Sequence, residues 1–132
     1  MAILTGPQGG SCQFAIKGGG HAPAAGFANI QGGVTLDMAG LKATTLNEDK
    51  SVVSVGAGAL WNDVYGYLDS FNLSAAGGRN GLVGVGGLLV GGGISHFSPR
   101  VGWACDGVVA FEVGRPGHPP SHRPSSPFAH HR

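Results

Sequence analysis

Cys12-Gln13-Phe14-Ala15-Ile16-Lys17 runs directly into Gly18-Gly19-Gly20-His21-Ala22. The first of these two blocks reads as a short buried strand. Three glycines in a row after a strand let successive backbone N–H groups turn toward one point, which makes an anion nest suited to a diphosphate. A merely tight turn would use the same residues, so the loop alone leaves both readings open. It is not a Walker loop, because the GK[ST] ending is absent. Nor does a GxGxxG occur: Gly56-Ala57-Gly58 is followed by Trp61 where a third glycine is required, and Gly84-Val85-Gly86 by Leu89. NAD-type and P-loop nucleotide sites are therefore disfavoured.

Downstream of this loop, residues 34–37 (VTLD) are a second strand candidate. Residues 43–47 and 51–55 flank the polar turn Glu48-Asp49-Lys50 and read as a hairpin of two alternating strands. The period then changes. Leu60, Val64, Tyr67, Leu68 and Phe71 fall at i, i+4, i+7, i+8 and i+11, one face of a helix within residues 59–71. Trp61 lies beside that stripe, where packing is the simpler role. A glycine-dense stretch fills residues 77–93, and residues 108–113 (VVAFEV) read as a final strand. Strands, one clear helix and long glycine loops give an α+β class rather than a regular βαβ alternation.

Glycine is the outlying component: 26 of 132 residues, where ordinary usage of roughly 7 % would give about nine. Such an excess argues for turns or for a cradle in which backbone approaches a ligand closely. The second glycine cluster, Gly84-Val85-Gly86-Gly87-Leu88-Leu89-Val90-Gly91-Gly92-Gly93, can serve either for backbone-on-backbone packing or as the other wall of that cradle. Eight Lys plus Arg against seven Asp plus Glu generate no field to attract nucleic acid or an anionic membrane. No stretch approaches the ~20 apolar residues of a membrane span, and MAILTGPQGG lacks the basic start of a signal peptide. Cys12 and Cys105 have no metal-ligand spacing and form no disulfide framework. No metal site is expected, and localisation stays open.

Taken in order, FAIKGGGH, the VTLD strand, VSVGAG, a helix opening on Trp61, GRNGLVGVGGLLVGGGIS and GWACDGVV resemble the PCMH-type FAD-binding domain of the berberine-bridge-enzyme-like and vanillyl-alcohol-oxidase flavoprotein oxidoreductases, in its fungal style. The resemblance covers residues 11–113. It implies a partial α+β flavin domain, with the FAD diphosphate held by Gly18, Gly19, Gly20, His21 and Ala22 on one side and Gly84, Val85, Gly86 and Gly87 on the other. His21 occupies the place of the histidine that such proteins commonly bond to the flavin ring methyl, a reaction open to a neutral imidazole. Asn80 stands where some members carry a cysteine that makes a second flavin bond; without a thiol, at most one bond is expected. Leu88 stands where some have a second histidine.

The implied parent activity is oxidation of a small organic substrate, an alcohol, sugar or secondary metabolite, by hydride transfer to FAD. No catalytic base is assigned, since Tyr65 and Tyr67 lie in the helix and belong to no family motif. The resemblance also implies that MAILTGPQGG closes a preceding helix and that the substrate domain is missing. The competing class is a non-catalytic protein, either a flavin-binding remnant or a pseudogene product. Residues 1–113 are thus expected to be a partial FAD-binding domain. Residues 114–132 carry five of the eight prolines and four of the six histidines with one large apolar side chain, Phe128, and are expected to be disordered.

Overall fold

Ser11–Lys17 (β2) is the centre of a three-stranded sheet, antiparallel to Ile3–Thr5 (β1) and parallel to Val34–Asp37 (β3). The computed structural model describes residues 3–5, 11–115 and 118–124, with side chains described over residues 13–113. Parallel strands need a long crossover, and here residues 18–33 provide it as irregular chain. Gly20, Gly26 and Gly32 take positive φ in that segment, where a Cβ would be strained. Ile16 pairs with Leu36 and Phe14 with Val34. The strand expected to be buried is nonetheless open on one side: Ile16 is 62 % and Val34 46 % exposed.

Two further strands, Thr44–Leu46 (β4) and Val53–Val55 (β5), pair antiparallel as the alternating pattern predicts. Thr44, Leu46, Val53 and Val55 are half-buried while Thr45 and Ser54 face out. The polar turn closes on itself. Asp49 Oδ1 accepts from Ser51 N at 2.9 Å, Asn47 Oδ1 accepts from Val52 N at 2.9 Å, and Lys50 takes φ +58°.

The helix within 59–71 is Trp61–Asp69 (α1). Val64 and Leu68 of the expected stripe are fully enclosed, and Trp61, at 4 % exposure, is a packing residue as expected. With Ala59 and Val85 they form the core, against which Leu46, Val53 and Val55 of the hairpin pack. Tyr67 ties helix to hairpin by accepting from Leu46 N at 3.2 Å.

Leucine at the N-cap offers no side-chain acceptor for the orphan N–H groups of a helix start. The chain solves this with backbone from the second glycine segment. Trp61 N donates to Val83 O at 3.1 Å, Asn62 N to Gly81 O at 2.9 Å, and Val85 N returns a bond to Ala59 O at 3.0 Å. Asp63 Oδ2 accepts from Leu60 N at 3.2 Å.

Two further expectations need correction. The glycine-dense stretch is not all loop: Val85–Val90 (α2) is helical, and Ser98–Val101 (α3) adds a further turn. Val85, Leu88 and Leu89 fall at i, i+3 and i+4, and their packing on α1 outweighs the poor helix propensity of Gly86 and Gly87. Ile3–Thr5 is strand rather than the end of a helix, because it pairs along β2. Ala110–Arg115 (β6), which begins two residues after the start of the expected strand, pairs antiparallel with His118–Pro124 (β7). Prolines, which cannot donate to a ladder, are compatible with an edge strand of this kind. Residues 125–132 lie outside the described residues. Among those described, no helix is long and apolar enough to cross a membrane.

Candidate cofactor-binding site

The site begins where β2 ends. Beyond Lys17 the chain turns through Gly18, Gly19 and Gly20 to His21, which is exposed. Gly20 has φ +70°, so a side chain there would be strained. Lys17 folds back beneath the turn: a Cβ on Gly20 would lie 2.8 Å from Lys17 Cε. Lys17 Nζ then donates to Asp37 Oδ2 at 2.9 Å, across the adjacent ends of β2 and β3.

Asp37 Oδ1 also accepts from Ala39 N at 3.0 Å. The Lys17 hydrogen bond first, and then the Ala39 bond, hold the Asp37 carboxyl below its ordinary value of 3.8. A carboxylate whose folded pKa is depressed contributes stability that is complete above that ordinary value. The contribution is lost as pH falls through the lower, folded value. Both side chains are well exposed, 38 % and 48 %, so the effect is small. Asp37→Asn should lower the melting temperature slightly at neutral pH, and the gap from wild type should close below pH 3.8. A gap constant across that range in a pH series of thermal melts would contradict it.

The second glycine segment meets the first backbone to backbone. A Cβ on Gly19 would collide with Gly84, 2.6 Å from its Cα, and would lie 3.0 Å from Leu60 Cδ2. A Cβ on Gly84 would in turn lie 2.9 Å from Gly19 Cα. Gly18 and Gly86 both face Ala57 O, each at 3.5 Å from a would-be Cβ. Thus residues 18–20, Ala57 and residues 84–86 converge. Ala57 and Leu60 were not legible as parts of the site, since nothing in their spacing distinguishes them from ordinary core and turn residues.

Among the described residues, the N–H groups of Gly19, Gly20, His21, Ala22, Gly86 and Gly87 have no protein acceptor. Partnerless donors clustered around glycines, with no side chains to keep a ligand away, fit a diphosphate-bearing cofactor. Next to Gly87, Arg79, Asn80, Val83, Leu88 and Trp103 line an open cleft of about 440 Å³. Asn80 thus lies in the wall of this cleft. Tyr65 and Tyr67 are hydrogen-bonded within the fold and do not line this cleft. Tyr65 donates to Gly78 O at 2.7 Å, and burial pushes its phenol pKa up, keeping it a neutral donor.

Comparison with known proteins identifies the family. The family model described as "FAD binding domain" matches residues 9–116. An FAD-dependent monooxygenase of Cochliobolus heterostrophus is 52 % identical over 103 residues, 78 % of this chain and 20 % of that protein. The chain thus spans about a fifth of the length of the curated relatives it matches. A VAO-type flavoprotein from Myceliophthora thermophila superposes with TM-score 0.67 at 31 % identity, over 77 % of this chain and 20 % of that one. Glucooligosaccharide oxidase from Acremonium strictum, with its 6-S-cysteinyl, 8α-N1-histidyl FAD, gives TM-score 0.74 at 25 % identity, over 86 % and 24 %. A match over most of the chain, with the glycine cradle in place, makes this chain a member of the FAD-binding-domain family of VAO-type flavoprotein oxidoreductases.

Proposed function

We propose that this chain holds FAD between residues 18–22 and 84–87 as part of an oxidoreductase that acts on a small organic substrate, an alcohol, sugar or secondary metabolite. The observation that carries the reading is the mutual contact of Gly19 and Gly84, which brings two sets of free N–H groups to one place. Such groups bind the diphosphate oxygens in the way backbone nests bind anions. When bound, FAD supplies the capacity to accept a hydride from the substrate. The chain's own task is placement. His21, exposed at the end of the first loop, would hold the flavin ring, its imidazole nitrogen being the group able to form a covalent link there. Asn80, in the wall of the neighbouring cleft, offers an amide where a thiolate would be needed, so at most one link to the flavin would be made. The oxidoreductase names of the relatives support the reaction class.

Equilibrium titration tests the reading: FAD should bind and turn the protein yellow, while NAD at equal concentration should not compete. Competition by NAD, or failure to bind FAD, would oppose it. Asn80→Cys in the FAD-loaded protein should permit a second bond, detected by mass spectrometry as flavin on the peptide containing position 80. Absence of that adduct in the variant would show that position 80 does not face the flavin ring.

A further inference from the structure

We propose that Trp61 and Tyr65 of α1 are positioning residues that set the cofactor-facing segment 78–85 in register with the first glycine loop; this rests on the reading that the two glycine segments hold FAD. The indole of Trp61 lies against Gly77 and Gly78. A Cβ on Gly77 would strike its ring, and one on Gly78 would lie 2.7 Å from Cδ1. Glycine at both positions lets the chain run flat across the ring. Trp61 Nε1 is buried with no acceptor among the described residues, so the ring is held by packing, including its contact with the Tyr65 ring at 5.6 Å between centroids. One turn on, the Tyr65 hydroxyl donates to Gly78 O at 2.7 Å. The far end of the same segment is fastened by Trp61 N to Val83 O and Val85 N to Ala59 O.

Between these fastenings lie Asn80 and Gly84, the latter in contact with Gly19. Leu60, immediately before the helix, faces Gly19 as well. The N-terminal turns of α1 therefore touch both loops and fix their separation, although neither aromatic ring lines the cleft. A shift at Gly78 is transmitted through residues 79–83 to both Asn80 and Gly84, because Val83 and Leu82 N–H bonds to Asn80 stiffen that stretch.

The test compares Tyr65→Phe and Trp61→Phe with their parent in the full chain, with amide hydrogen exchange read directly and FAD affinity read in a shared His21→Ala background, where binding is reversible. Losing one hydrogen bond corresponds to about a fivefold to tenfold change in an equilibrium. Tyr65→Phe should speed exchange at Leu82, Val83 and Val85 by about that factor, leave Asn47 and Gly56 beside the β4–β5 hairpin unchanged, and weaken FAD binding about fivefold. The visible circular dichroism of the bound flavin should change, a signature that mere loss of stability would not produce. Trp61→Phe should do the same more strongly at Leu82 and Val83. Unchanged exchange in both variants overturns the proposal whether or not FAD binds. Faster exchange with unaltered FAD affinity and dichroism overturns it too. Wild type that fails to bind FAD instead removes the functional reading on which the proposal stands.

Discussion

In a His21→Ala background, where FAD binds reversibly, Gly84→Ala is expected to weaken that binding by on the order of a hundredfold, the equivalent of about 3 kcal/mol. The added methyl would meet Gly19 backbone, 2.9 Å from its Cα and closer still to its nitrogen. Backbone cannot swing aside as the tip of a long side chain can, so the loops must part. Separation breaks the convergence of N–H groups and disturbs the return bond from Val85 N to Ala59 O. The same substitution at Gly66 is the control. Its Cβ would meet nothing within 4 Å on α1, and replacing glycine by alanine inside a helix stabilises by about 0.5–1 kcal/mol. Thermal melts and FAD titrations of the two variants should therefore move in opposite directions for stability, and only Gly84→Ala should lose affinity. Undiminished FAD affinity in Gly84→Ala would mean that the contact between the loops is irrelevant to the cofactor.

His21→Ala is the second large effect: acid-stable flavin should fall from essentially complete to none, while reversible binding persists. The free N–H groups of Gly19, Gly20, Gly86 and Gly87 do not depend on the imidazole, so the cofactor keeps its seat and loses only its tether. In acid precipitation, yellow colour should stay with wild-type protein and wash out of the variant. Colour that washes out of both would exclude a covalent role for His21, and colour retained by both would put the bond on another residue.

Local pattern foretold much of the fold and tertiary contact decided the remainder. The alternation at Thr44, Leu46, Val53 and Val55, and the helical stripe at Val64 and Leu68, are local periodicities that burial enforces, so they were legible. The strand before the glycines was legible as a strand but not in its exposure, since Ile16 looks the same in sequence whether covered or bare. The helix Val85–Val90 was hidden by its glycines, whose low propensity is overridden by the packing of Val85 and Leu88. Pairing of His118–Pro124 with Ala110–Arg115 has no periodic signature at all, because proline-rich sequence shows none. At the candidate site, the two glycine segments that meet at Gly19 and Gly84 were both legible as motifs. Ala57 and Leu60 were not, because their part is a backbone carbonyl and a packing contact, neither of which leaves a residue-type signal. The same holds for the capping of α1 by Gly81 and Val83 carbonyls.

Chemical-shift mapping of ¹⁵N-glycine-labelled protein during an FAD titration tests the central claim most directly. The cradle predicts that the amides of Gly18, Gly19, Gly20, Gly84, Gly86 and Gly87 shift together and saturably. Gly26, Gly32, Gly40 and Gly66, which have open space where a Cβ would stand, should stay in place. Shifts confined to that second group, or saturable binding that leaves the Gly19 and Gly84 amides unmoved, would contradict the account.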